Sequence, residues 1–404
     1  MLIIETKFTG RQAILESGFR LFFLLAASAA ALLMGLWFGL FNFSPAALQP
    51  GYSPLYWHAH EMLFGFALAP IAGFLLTAVR NWTGRTTLVG KPLLLLALPW
   101  LLARLAAFSG EFSPWIAAVF ECLFLAGLAL VIGKPILLTK QWAQLGIVSK
   151  VILLLPASLA FHLGVAGYWA PGTLIGLNAA LYIILALVVT LVRRVMPLFI
   201  ERGLNNGFVP RNSALTDRWG LVVFLLFALV DTAFQVVPDM AALAPLSAML
   251  AAVLCLLHGA RLSAWYHRQI WGKPLVWVLF LAYAWVVLGF LLKALQGLGV
   301  ASHSLAIHAF AAGGIGLATL GMMARISLGH TDRNVNQPPR AVTAIFLLVF
   351  LAAVCRVGGP LLLPAVYLFW IIAAQISWSA GFLLFVHVYY PILTGVRTDA
   401  LASP

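Results

Sequence analysis

Charge is what this sequence lacks most: only 9% of its 404 residues are Asp, Glu, Lys or Arg, against 63% apolar. A soluble domain is about a quarter charged, so this composition cannot cover a water-exposed surface, and a string of soluble domains is excluded. Acidic residues are the scarcer sign, 11 against 24 basic. The net charge of +13 would suggest nucleic acid if the cations were gathered on a polar domain. They lie instead in short stretches between apolar runs, where they report membrane topology, and no nucleic-acid partner is expected. Cysteine is also sparse. Cys122, Cys255 and Cys355 stand alone in separate apolar runs, which excludes a CxxC zinc ribbon and a CxxCH attachment, so any haem would be held non-covalently. No cleavable secretory signal precedes the first apolar run, and residues 1–18 read as a short cytoplasmic segment.

What the chain does have is hydrocarbon-length apolar sequence. A crossing needs about 20 apolar residues. Twelve such runs lie near 19–41, 55–80, 92–109, 113–133, 147–168, 172–196, 218–237, 241–260, 274–296, 302–326, 340–358 and 361–391. The expected fold is all-α: one integral membrane domain over residues 1–404 with helices across about 19–391 and a tail at 392–404. Nearly all basic residues fall in alternate connections, from Lys7, Arg11 and Arg20 at the start to Arg397 at the end. With an even number of spans, both termini are expected on the cytoplasmic side of a multi-pass protein in a bacterial inner membrane. Gly90-Lys91-Pro92, Gly133-Lys134-Pro135 and Gly272-Lys273-Pro274 each precede an apolar run and read as helix starts, since proline suits a first turn.

The second span, WHAHEMLFGFALAPIAGFLLTAVRNWTGR from Trp57 to Arg85, opens on residues that hydrocarbon tolerates only when paired, hydrated or bound. His58 and His60 are two residues apart, hence about 200° apart on a helix, and should serve different partners. Gly65, Ala69 and Gly73 form a small-residue stripe that admits a close backbone or a flat macrocycle, and Pro70 predicts a kink. The expected depth of the other intramembrane polar residues is lopsided. His162, His303, His308, Arg104, Glu121, Asp231, Lys293 and Arg356 join His58, His60 and Glu61 in the outer halves of their spans. Neutral imidazoles from several helices, with carboxylates behind them and few thiols, suit haem iron, copper or zinc. The candidate metal ligands are therefore His58, His60, His162, His303 and His308. A bis-histidine haem clamped between spans two and ten would place Arg104 and Arg356 near its propionates. Glu61, Glu121 and Asp231 are candidates for proton relay. Any one histidine next to tryptophan can instead simply anchor a helix end.

His58 to Arg80 and His303 to Arg325 share a spacing of 22, and span six ends comparably in Arg193 and Arg194. Equivalent second, sixth and tenth spans would make three four-helix groups, the arrangement associated with haem-copper oxidases. That is an analogy of architecture alone.

The same residues carry a family resemblance. The stretch 57–85, RRVMPLFIERGL at 193–204, HAFAAGGIGLATLGMMARISLGHTDR at 308–333 and GFRLFF at 18–23 resemble the NnrS family. The resemblance implies a twelve-span bacterial inner-membrane protein that contains haem b and copper and is associated with resistance to nitric oxide and nitrosative stress. It departs from the family pattern at Leu21 and Arg80, where proline is usual. Two readings follow. In the first, haem and copper bind nitric oxide and either shield other centres from it or reduce it, with electrons from the respiratory chain. In the second, a secondary transporter carries a small anion or metal complex through a histidine-rich outer site.

Overall fold

Apolar runs of this length become helices because hydrocarbon offers backbone N–H and C=O groups no partner but the chain itself. The computed structural model describes residues 10–44 and 52–397; residues 1–9 of the expected leading segment, with Lys7, and residues 398–404 of the expected tail lie outside them. Among the described residues the regular structure is entirely helical. Eleven helices among the described residues are long and apolar enough to cross a membrane. They are α1 (Gly18–Phe43), α2 (Pro54–Thr83), α4 (Ser113–Leu138), α5 (Leu145–Val165), α6 (Ala170–Leu204), α7 (Ala214–Val236), α8 (Ala244–Trp265), α9 (Pro274–Gly297), α10 (His303–Gly329), α11 (Val342–Leu362) and α12 (Tyr367–Thr394).

The twelfth expected run, near 92–109, folds as the shorter helix α3, Lys91–Ala106, of 16 residues. It nevertheless joins both levels of the bundle. At its start Gly90 N–H donates to Leu15 O at 2.9 Å, and near its end Arg104 pairs with Glu61 at the top of α2. Arg20 in the first turn of α1 donates to Leu393 O (3.1 Å) and Gly395 O (2.6 Å) at the end of α12. The first and last helices thus meet at one face, as an even number of crossings requires. That face, which carries the basic connections, is called inner below.

Proline opens α3 and α9 as expected from the Gly-Lys-Pro tripeptides. Gly133-Lys134-Pro135 is different: it lies inside α4, near the end of a helix that continues to Leu138. The apolar residues on both sides of the tripeptide carry the helix through it, so it marks the inner interface rather than a helix start.

Helices α2, α6 and α10 touch one another at the centre, and the remaining helices pack around them largely in chain order, with α12 returning to α1. The centre is the most enclosed part: 89% of the most apolar stretch of α2 is buried, against 22% for α7. The stripe of Gly65, Ala69 and Gly73 receives a helix. A Cβ on Gly73 would lie 2.9 Å from Phe22 Cβ of α1, and one on Gly65 would lie 2.9 Å from Leu33 Cδ1. Two central helices contain wide π-helical segments, Glu61–Ala67 in α2 and Ala309–Gly316 in α10, each starting immediately after a histidine, His60 or His308. Such segments re-aim side chains and recur at functional sites.

Gly84, Gly110, Gly207 and Gly299 lie in connections at φ +65, +70, +81 and +74°, backbone that glycine adopts without strain. Reporter fusions after Gly110 and Gly299 should read out on the periplasmic side and fusions after Gly84 and Gly207 on the cytoplasmic side. One reversed reporter would break the crossing count.

Candidate metal centre

Polar side chains from four helices gather beneath the outer ends of α2 to α5. His60 and Glu61 come from α2, Arg104 from α3, Glu121 from α4, and Ser158 and His162 from α5. All are buried; Arg104, the most exposed, retains 7% of its surface. His60 Nδ1 lies 3.1 Å from Glu61 Oε1, and its Nε2 lies 3.1 Å from Glu121 Oε2. His162 Nε2 reaches the same Glu121 oxygen at 3.2 Å, and the Ser158 hydroxyl donates to it at 2.7 Å. Arg104 bridges the two carboxylates, its Nε 3.2 Å from Glu61 Oε2 and its Nη2 on Glu121 Oε1.

The local sequence explains the convergence. Ser158 and His162 are four residues apart and share one face of α5. Gly65 leaves space for the guanidinium: a Cβ there would lie 2.8 Å from Glu61 Oε2 and 3.0 Å from Arg104 Nη1. Trp100 of α3 donates from Nε1 to Phe64 O within the π segment, fixing α3 against α2. Phe64 and Phe161 stack on His60, with ring centroids 4.9 and 4.4 Å away, and line the site with apolar rings.

Two features point to a cation. One ligand atom from each of His60, Glu121 and His162 lies within 4.8 Å of the others, and all three residues are buried. The charges also fail to balance: two carboxylates face one guanidinium, and with neutral imidazoles one positive charge is missing. A proton or a bound metal ion would restore neutrality, and leaving a buried charge uncompensated is expensive.

The other outer residues form two further groups. His58 turns away from His60, as their spacing predicts, and stacks on Trp37 of α1 with centroids 4.4 Å apart and planes 10° apart. Across from it His308 donates from Nδ1 to Ser304 O at 2.7 Å, which leaves its Nε2 for another partner. Arg356 donates to Ser304 Oγ at 2.9 Å and lies within electrostatic reach of both His58 and His308. Separately, Lys293 of α9 bridges Asp231 (2.7 Å) and His303 Nδ1 (2.9 Å), with Tyr182 and Ser247 also donating to Asp231. The structure therefore brings together His60, Glu61, Arg104, Glu121 and His162, sets His58, His308 and Arg356 beside one another, and gives Asp231 and His303 partners of their own. Arg104 is taken up by the two glutamates. Ser158, Tyr182 and Ser247 went unnoticed in the sequence, because a hydroxyl within an apolar run carries no signal until its partner is known.

A family model described as NnrS protein matches residues 13–397, nearly the whole chain. No curated protein matches.

Removing the guanidinium tests how much the cluster depends on it. Arg104→Met leaves two buried carboxylates facing each other and should destabilise the bundle by about 3–5 kcal/mol, the range for breaking a buried pair by deleting one partner. Thermal unfolding in detergent reads this, and a midpoint equal to that of the parent would show that the carboxylates are already neutral.

Proposed function

This chain belongs to the NnrS family, membrane proteins of the nitric oxide response, and from that premise we propose that it is a metalloprotein of the bacterial inner membrane that binds nitric oxide and removes it or shields other centres from it. The observation that carries the reading is the buried convergence of His60, Glu121 and His162, one positive charge short of neutrality.

The donor set suits copper. Imidazole is a ligand for copper, zinc and iron, whereas hard oxygen-rich sites suit magnesium or calcium. His60 and His162 would hold the ion through Nε2 and Glu121 through a carboxylate oxygen. Glu61 accepts the His60 Nδ1 proton, which fixes the tautomer and leaves the Nε2 lone pair facing Glu121. Arg104 offsets the carboxylate charge, and Phe64 and Phe161 line the site with apolar rings. Copper, when bound, supplies one-electron chemistry and affinity for nitric oxide.

For a non-covalent haem b the fitting residues are His58 and His308. His58 makes no hydrogen bond among the described residues and His308 is held through Nδ1, so each keeps a ring nitrogen that would be able to hold the haem iron. Arg356 stands beside them as the partner for a propionate. Reduction of nitric oxide would further require an electron donor, for which the respiratory chain is the natural source, and protons delivered through Glu61 and Glu121.

The carrier reading requires the outer histidines to share one substrate site. They are divided instead among Trp37, Glu121, Ser304 and Lys293.

Metal analysis with absorption spectra on purified variants tests this assignment. His60→Ala and His162→Ala should lose copper and keep the haem bands, whereas His58→Ala and His308→Ala should lose haem and keep copper. His267→Ala and His330→Ala should retain both, because His267 caps a short turn at Gln269 N–H and His330 packs on Phe19 at the inner end. A colourless, folded parent protein from haem- and copper-replete cells would sink the proposal.

A further inference from the structure

The metal centre leaves unused a second set of buried polar groups, in α6 to α10. Its outer part is the chain His303, Lys293, Asp231, Tyr182 and Ser247. Lys293 Nζ donates to His303 Nδ1 and to Asp231 Oδ2, while the Tyr182 and Ser247 hydroxyls donate to the same carboxylate. Asp231 and Lys293 are 1 and 2% exposed; His303, at the outer mouth of α10, is half-buried. Its inner part is a second chain. His258 Nδ1 meets the Tyr283 hydroxyl, Arg261 donates to the same oxygen at 3.1 Å and to Asp217, and Arg193 also pairs with Asp217 at 2.9 Å. His258, Arg261 and Tyr283 are buried, but the Asp217 side chain is 30% exposed at the inner face.

The same four helices build both parts. Along α6 the polar positions are Tyr182 and Arg193, along α7 Asp231 and Asp217, along α8 Ser247 and His258 with Arg261, and along α9 Lys293 and Tyr283. These separations correspond to roughly 15–20 Å of helix at 1.5 Å per residue. Between the two levels lies a layer of phenylalanines. Tyr182 packs on Phe227 at 5.4 Å, Phe227 on Phe290 at 5.7 Å, and Phe290 stacks on the His258 ring at 5.5 Å and 12°. Phe224 closes the same layer against Tyr182 and Phe290. Each polar chain ends on this layer, with two phenylalanine rings between Tyr182 and His258.

Helix-to-helix adhesion accounts poorly for the arrangement. A buried ion pair is a weak source of stability that apolar side chains of similar size commonly match. Intramembrane ionisable residues arranged in hydrogen-bonded series mark ion or proton routes, and apolar constrictions close such routes by excluding water.

We propose that α6 to α10 carry a proton pathway in two halves, the outer loaded through His303 and the inner opening at Asp217, with the Phe224, Phe227 and Phe290 layer as its gate. The permeant is a proton because the Lys293 ammonium occupies the place on Asp231 that a metal cation would take. His303 is free for this duty, since its Nδ1 is bound to Lys293 and it lies outside the proposed ligand sets. In the outer half, Lys293 passes one proton to Asp231 and takes one from a protonated His303. Each transfer adds a proton to one group and removes it from its neighbour, with no change in electrons. The pathway does not depend on the assignment of the metals.

Purified full-length protein in liposomes containing a pH-sensitive dye, under an imposed potassium diffusion potential, tests it. Phe290→Ala should raise proton influx by at least an order of magnitude over the parent by wetting the layer. Adding Asp231→Asn, Lys293→Met or Tyr182→Phe should return the flux to the parent level, with metal content unchanged. Tyr182→Phe removes one hydroxyl without unpairing a charge, so it keeps the test in force if the charge variants do not fold. An unchanged flux in Phe290→Ala overturns the proposal. So does a raised flux that is indifferent to all three outer substitutions, or one that requires sodium.

Discussion

A charge in hydrocarbon must be compensated where it stands, and Arg104 between Glu61 and Glu121 is where that requirement organises most of this molecule. The pairing fixes α3 to both α2 and α4 at one level, and Glu121 then draws in α5 through Ser158 and His162. Gly65 and the π segment of α2 follow from it, since the guanidinium needs the missing side chain and the histidine needs to be turned toward α4. Yet one guanidinium does not neutralise two carboxylates. The remaining negative charge calls for a proton or a bound cation at this buried place, and the proposed metal site rests on that deficit.

Much of this was legible in the sequence, for identifiable reasons. Eleven of the twelve expected spans and the common face of the first and last helices follow from apolar length and from where arginine and lysine are allowed to sit. The opposite duties of His58 and His60 follow from helical periodicity alone. What stayed hidden required knowing neighbours. Arg104 looked free for a propionate because nothing in its own run shows that Glu61 and Glu121 approach it from two other helices. Asp231 looked like a companion of the glutamates because depth was readable and lateral position was not. Gly133-Lys134-Pro135 imitated a helix start because proline near an interface signals a helix end of either kind.

Polar groups outside the metal centre follow the same rule in another part of the bundle. In α6 to α10 both carboxylates of the polar chains have a cation beside them, Asp231 that of Lys293 and Asp217 those of Arg261 and Arg193, so neither is left without a positive partner. That sets them apart from the Glu61, Glu121 and Arg104 group, where carboxylates outnumber guanidiniums, and it is the contrast on which the proposed proton route and the proposed metal site are distinguished. The central helices α2, α6 and α10 touch one another, which joins the two groups in one frame while their titratable side chains remain on different partners.

The central claim is that His60, His162 and Glu121 together bind a metal ion. X-ray absorption at the copper edge, on protein purified from copper-replete cells, examines that ligand set directly. The account predicts scattering from two imidazoles and one carboxylate oxygen with no sulfur. A thiolate signal, imidazole scattering that survives removal of both His60 and His162, or the absence of any bound metal would contradict it.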